Sequence, residues 1–182
     1  MYIARYKRRL NQIFFKFMTQ FAWAKLVDTL GIKPYTITNH DAVFTMEAMA
    51  AHSESIPGII LKNLVLKEKK TDQLFMLSTM LDTKTDLNKL AESLGTKALR
   101  FADLDDVCTI LHVTPGSVTP LSLVYDTNIR IRYLLDSRLK DTDLVAVHPV
   151  EPDHNRATWS LLLSELKMYL METHHAPEYV AL

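Results

Sequence analysis

The hydrophobic positions of this chain change period several times, and the changes mark its elements. From about residue 10 to residue 30 apolar side chains recur at helical spacing and stop at Gly31, a suitable residue just past a helix end. A short strand is expected over 33–38. A brief helix should follow from Thr45, which can cap it, with Glu47 in its first turn. Strands over 59–67 and 73–81 flank the charged turn 68–72 at hairpin spacing. Leu87, Leu90, Ala91 and Leu94 then form an i, i+3, i+4, i+7 stripe between Thr85 and Gly95. Asp103 is placed to cap a further helix carrying Leu104, Val107, Cys108 and Leu111, ended by the turn Thr114-Pro115-Gly116. Strands are expected over 120–125, 129–135 and 143–148. A last helix, about 160–173, would present Leu162, Leu163, Leu166, Tyr169 and Leu170. Helices occur singly or in pairs between hairpin-like strands, without regular βαβ alternation. That pattern specifies an α+β fold on a mixed, largely antiparallel sheet.

One strand breaks its own pattern. After the Pro57-Gly58 turn signal, the apolar run 59–66 reads as an inner strand, yet Lys62-Asn63 stands at its centre. A lysine is almost never fully buried unless it is paired. It therefore needs either an anionic partner in a cleft or a sheet edge at which its stem covers the core and its ammonium reaches water. Strict alternation puts Lys62 and Asn63 on opposite faces, so the two need not share a pocket.

Composition adds bounds. At 182 residues, with 48% apolar and 23% charged residues, the chain is sized for one ordinary globular domain. No apolar run of membrane-spanning length occurs, so no membrane partner is expected. The single cysteine, Cys108, excludes an internal disulfide and fits a reducing compartment. On the apolar stripe of its helix it reads as a buried structural thiol rather than a nucleophile. The net charge of zero conceals an imbalance: residues 1–27 hold six basic side chains (Arg5, Lys7, Arg8, Arg9, Lys16, Lys25) and no acidic one. Such a segment suits a mitochondrial presequence, a basic helix face for nucleic acid, or a solvated first helix. Its lack of serine speaks against the first.

Most catalytic signatures are missing. His174 and His175 are adjacent and would diverge on a helix, and there is no CxxC or HExxH, so no metal is expected. There is no GxSxG elbow, P-loop or GxGxxG. Two spots remain. Gly116-Ser117-Val118-Thr119-Pro120-Leu121 is a Gly-to-Pro turn whose amides could donate to a ligand carbonyl or oxyanion, or which could simply connect helix to strand. His148-Pro149 closes the apolar strand 144–147, as a cleft-lining or a structural histidine.

In order along the chain, Leu30-Gly31-Ile32, His40-Asp41-Ala42-Val43-Phe44-Thr45, Gly58, Lys62-Asn63-Leu64, Asp86-Leu87, Lys89-Leu90, the 116–121 segment, Asp126, Asp136 and His148-Pro149 resemble the YbaK/ProX family of aminoacyl-tRNA deacylases. This family includes the editing (insertion) domain of bacterial prolyl-tRNA synthetase. The likeness is to its freestanding branch, the PrdX or prolyl-tRNA-synthetase-associated proteins, and runs from about Leu26 to the C-terminus. It divides the chain into a basic helix or extension, 1–25, and a deacylase domain, 26–182.

The resemblance implies a curved mixed sheet, part barrel, wrapped by helices. It also implies hydrolysis of the ester joining a wrong amino acid to tRNA, in trans, without cofactor. Lys62, with Asn63 beside it, would be the essential pair near the tRNA 3′ end. Gly116, Ser117, Val118, Thr119 and Pro120 would line the aminoacyl pocket, and His148 its wall. A ribose hydroxyl of the substrate would help orient the water, since the sequence offers no evident general base.

The implied partners are mischarged tRNA and prolyl-tRNA synthetase, in the cytoplasm, with the mitochondrion as the alternative raised by the basic N-terminus. Ala-tRNA(Pro) is the expected substrate. The alternatives are a Cys-tRNA or other small-residue deacylase of the same fold, or a non-catalytic tRNA- or synthetase-binding module. One departure bears on this choice. The family's Asn-x-x-Thr after His-Pro is matched by Asn155 and Thr158 only if about three residues are inserted, and Glu151 and Asp153 add negative charge near a tRNA end.

Overall fold

The computed structural model describes residues 22–41, 53–150 and 156–182. The helix expected from Thr45 and most of the N-terminal helix lie outside them. The chain divides into two compact units, Met1–Lys33 and Pro34–Leu182.

In the first unit, helix α1 spans Ala22–Thr29. Gly31 donates to the Asp28 carbonyl and Ile32 to that of Val27, the paired bonds of a Schellman end, as the glycine position predicts.

The described residues of the second unit form eight strands: β1 (Thr36–Asn39), β2 (Ile59–Glu68), β3 (Leu74–Met80), β4 (Leu99–Phe101), β5 (Ile131–Asp136), β6 (Leu144–Val147), β7 (Ala157–Leu162) and β8 (Glu178–Val180). Their order is β1-β7-β6-β2-β3-β5-β8, with β4 also on β2. The β1/β7, β2/β3, β2/β4 and β6/β7 pairs are antiparallel, and β2/β6, β3/β5 and β5/β8 are parallel. The sheet is therefore mixed, as the alternation of elements implies. The β2–β3 hairpin closes through Glu68 N–H to the Gln73 carbonyl at 3.0 Å and a Lys67–Asp72 ion pair.

Helix α2 (Leu87–Ser93) starts at Asp86, whose carboxylate accepts from the amides of Asn88 and Lys89. Its predicted stripe lies on the sheet. Leu90 and Ala91 join Leu66, Phe75, Leu77, Leu99, Leu134 and Val180 in the core, with Leu87 and Leu94 packed alongside. Burying a leucine of this kind contributes about 2 kcal/mol.

Helix α3 (Leu104–Leu111) corrects three expectations. Asp103 occupies the N-cap but its side chain bonds no helix amide; it pairs with Arg100 instead. Only the C-terminal half of the apolar stripe is covered: Val107 and Leu111 are buried, Leu104 is 58% exposed and Cys108 is half-buried. The helix also ends earlier than predicted, at His112 in the left-handed region.

Two further segments differ. Residues Pro120–Tyr125 form a 3-10 helix, not a strand. Thr119 is its N-cap and Pro120 opens its first turn, where a missing N–H costs nothing. A short apolar run buried all round has no period by which to choose between the two states. The expected helix 160–173 begins as strand β7, paired on both sides. Glu165 then accepts from the Leu162 amide and starts helix α4 (Leu163–Glu172). Leu162, expected on the helix stripe, lies at the end of β7 and is exposed. Strands β4 and β8, three residues each, are too short to show a period.

Candidate active site

Strand β2 organises the site. Strand β3 fills one edge of β2 along residues 61–67, so β4, paired with 66–68, lies on the other edge, where the sheet order also puts β6. Strand β6 pairs only with Ile59 and Ile60 before leaving. Among the described residues, 61–64 have no strand beside them on that edge. The sheet thus has a gap at Lys62-Asn63.

Gly58 makes the β2–β6 approach possible. It has φ +89°, and a Cβ there would stand 2.9 Å from backbone and side-chain atoms of Leu144. Only glycine combines that angle with that approach.

The 116–120 loop comes to the gap. Gly116, at φ +82°, occupies the third position of a turn closed by Ser117 N–H to the Thr114 carbonyl at 3.0 Å. With Pro115 before it, this is a type II turn. The Val118 carbonyl accepts from Asn63 Nδ2 at 3.0 Å and lies 3.1 Å from His148 Nε2. Thr119 donates its hydroxyl to the His148 carbonyl at 2.7 Å, and Ser122 donates to the Thr119 carbonyl at 2.6 Å. Tyr169 of α4 bonds the Leu121 carbonyl at 2.7 Å. The loop is tied to β2, to the end of β6 and to α4 at once. Ser117, Thr119 and Pro120 are buried, Val118 is half-buried and Gly116 is exposed. The Ser117 amide is committed to the turn, so any ligand-facing amide belongs to a neighbouring residue.

Asn63 is oriented without ambiguity. Val118 can only accept through its carbonyl, so Nδ2 faces it, and Oδ1 accepts from Ser78 at 2.6 Å. Lys62 lies across the pair from Thr79, on the face opposite Asn63 and Ser78, as alternation requires. It is half-buried, on an inner strand but in the stretch that no strand covers on one side, and its ammonium donates to the Thr83 carbonyl. Burial lowers its pKa, partly offset by the nearby Asp82 carboxylate.

Burial lowers the pKa of His148, against the smaller opposing pull of the Pro149 and Val118 carbonyls at its two ring nitrogens; the neutral ring carries one N–H and donates to one of those carbonyls at a time. The charge of His40 also lowers its pKa. His40 Nε2 lies 2.9 Å from the hydroxyl of Thr158 on β7. His40 and Thr158 therefore belong to the surroundings of His148. Both stand in segments the sequence comparison singles out, but neither has a spacing that names it as a site residue. Among the described residues, no three His, Cys, Asp or Glu side chains gather as metal ligands would.

Asn63, the 116–120 loop and His148 are thus one bonded unit, with Lys62 next to it on the other face of β2. The unit offers fixed dipoles on one face of β2 and Lys62 a cation on the other, so an anionic, ester-bearing substrate that meets both reaches across the open stretch at 61–64.

Comparison with known proteins agrees with this architecture. The family model described as "Aminoacyl-tRNA editing domain" matches residues 40–157. Prolyl-tRNA synthetase associated domain-containing protein 1 of Xenopus laevis is 35% identical over 150 residues, covering 81% of this chain and 88% of its own. The prolyl-tRNA editing protein ProX of Acetoanaerobium sticklandii is 34% identical over 144 residues, covering 79% and 85%. A crystal structure of a candidate trans-editing enzyme for prolyl tRNA synthetase superposes with TM-score 0.59 over 86% of this chain and 91% of that one; at 19% identity it speaks for the fold alone. The chain belongs to the aminoacyl-tRNA editing domain family, the deacylases that hydrolyse the ester between an amino acid and tRNA. None of the helices in the described residues is long and apolar enough to cross a membrane.

Proposed function

We propose that this protein hydrolyses alanine from mischarged tRNA(Pro), acting in trans after the synthetase has released its product. The observation that supports this reading is the Val118 carbonyl, which accepts from Asn63 and lies against His148, tying the 116–120 loop to the uncovered stretch of β2 that also carries Lys62. In this reading Lys62 supplies charge to a terminal phosphate or to the developing oxyanion, and Asn63 keeps the loop in register. The loop shapes a pocket for a small side chain, with His148 at its wall. A ribose hydroxyl of the substrate orients the attacking water. Proline is rejected by size, the easier direction of discrimination for a small pocket. We further assign tRNA contact to the basic residues 1–25, transient association to prolyl-tRNA synthetase, and action to the cytoplasm.

The test is a substrate profile of the purified protein on Ala-, Cys- and Pro-tRNA(Pro). Preferential release of alanine is expected. Preference for the cysteine ester would change the substrate and keep the enzyme. Binding of tRNA without turnover of any ester would make the protein a binding module.

A further inference from the structure

Thr83 receives two cations, one from the middle of β2 and one from the turn after β5. Its carbonyl accepts from the Lys62 ammonium, and its hydroxyl accepts from Arg138 Nη2 at 2.8 Å. Arg138 is itself held. Its Nε lies 3.0 and 3.2 Å from the two carboxylate oxygens of Asp136, and its Nη2 also donates to Oδ2. The same carboxylate accepts from the Arg138 amide at 3.0 Å and from the Thr79 hydroxyl at 2.6 Å. Asp136 is wholly buried at the end of β5, while the Arg138 side chain is 47% exposed. Thr79 is the residue directly opposite Lys62. The contacts close a ring: across the strand pair from Lys62 to Thr79, through Asp136 and Arg138 to Thr83, and back to the ammonium.

The ring answers a physical difficulty. A lysine side chain is long and flexible, and a charge that stabilises a transition state must be in place before the reaction starts. The carbonyl that receives Lys62 belongs to the turn leaving β3, closed by Thr83 N–H to the Met80 carbonyl at 3.1 Å. Such a turn can shift by itself; Arg138 ties it to a carboxylate buried in the sheet. An ammonium has three donors, so the bond to Thr83 leaves two for a substrate.

Building on the deacylase reading, we propose that Thr83 and Arg138 are positioning residues for Lys62. Asp136 holds the guanidinium, the guanidinium holds the Thr83 hydroxyl, and the Thr83 carbonyl holds the ammonium where the substrate meets it.

Thr83→Ala tests this without unpairing the buried carboxylate, and it leaves the carbonyl that Lys62 uses. It should lower kcat/KM on Ala-tRNA(Pro) roughly ten-fold, within the range that misplacement of a catalytic group produces. Thr83→Ser should restore activity. Arg138→Lys keeps a cation beside Asp136 but cannot fork to both partners, so it should resemble Thr83→Ala. In a Lys62→Ala background, Thr83→Ala should cause no further loss, because it acts through the missing ammonium. Losses that multiply in the double variant would overturn the proposal.

A second arm needs no turnover. Acetylation of Lys62 by acetic anhydride, mapped by mass spectrometry, should speed up several-fold in Thr83→Ala and return toward the wild-type rate in Thr83→Ser. Unchanged Lys62 reactivity would overturn the positioning role. A wild-type protein inert on every ester would instead overturn the deacylase reading.

Discussion

Replacing Asn63 by aspartate changes one atom of the site and reverses one interaction. Nδ2 donates to the Val118 carbonyl at 3.0 Å, so an oxygen in its place sets two acceptors against each other at that spacing. The bond from Ser78 to Oδ1, 2.6 Å, is kept. One hydrogen bond is lost, at about 1 kcal/mol. The facing oxygens add a similar or larger cost, because the half-buried carboxylate keeps only the bond from Ser78. The expected deficit at pH 8 is roughly 2–3 kcal/mol.

The deficit must also depend on pH. A protonated carboxyl can donate to Val118, so the fold favours protonation and raises the new group's pKa above its unfolded value of about 3.9. The native state then binds more protons than the unfolded one between the two pKa values. The full penalty is present above the folded pKa and is lost as pH falls toward the unfolded one. About 1 kcal/mol of it should be recovered by pH 5. Urea unfolding of wild type, Asn63→Asp and Asn63→Ala at pH 8 and pH 5 measures this. The aspartate variant should gain on both references at pH 5. A deficit independent of pH, or below about 0.5 kcal/mol at pH 8, would refute the assigned geometry of Asn63 and Val118.

Three other perturbations have defined outcomes. Gly58→Ala, strained at φ +89° and 2.9 Å from Leu144, should cost roughly 3 kcal/mol by thermal unfolding, since β6 must move off β2. His148 is kept below its ordinary pKa of 6.5 chiefly by burial, so the unfolded state binds more protons just below that value. Stability should therefore fall as pH drops through 6.5, by at most about 1.4 kcal/mol per unit, and His148→Gln should flatten that slope in urea titrations across pH 5–7.5. Burial and Asp105 push the Cys108 thiol up, so at pH 7.5 iodoacetamide should modify it more slowly than a free cysteine, by timed mass spectrometry.

The parts of the fold legible in the sequence are those with a clean period. The stripe of α2, the β2–β3 hairpin and the break of the apolar run at Lys62-Asn63 all lie where the residues put them. The 3-10 helix Pro120–Tyr125 was hidden because an apolar run with buried surroundings reads equally as strand. Strand β7 was hidden because Leu161 and Leu162 continue smoothly into the stripe of α4, and only Glu165 marks the boundary.

For the site, alternation put Lys62 and Asn63 on opposite faces, as they are. What no local pattern contains is that Val118 and His148, thirty residues apart, would meet at one carbonyl, or that Thr83 and Arg138 would meet at one turn. The first encounter depends on β6 parting from β2 after two residue pairs and the second on β5 lying parallel beside β3, both properties of the sheet as a whole. The Asn-x-x-Thr departure takes a partial meaning from the fold. Thr158 reaches His40 beside His148, so that half of the pattern still stands at the site, while Asn155 lies outside the described residues.

The most direct test of the account is single-turnover release of alanine from Ala-tRNA(Pro) by wild type and Lys62→Ala, with tRNA binding measured in parallel. Efficient release by the wild type and a loss of roughly a hundred-fold or more in the variant, with the protein still folded, is the predicted result. Equal rates in the two proteins would contradict the role given to Lys62, and no release by the wild type would contradict the deacylase reading itself.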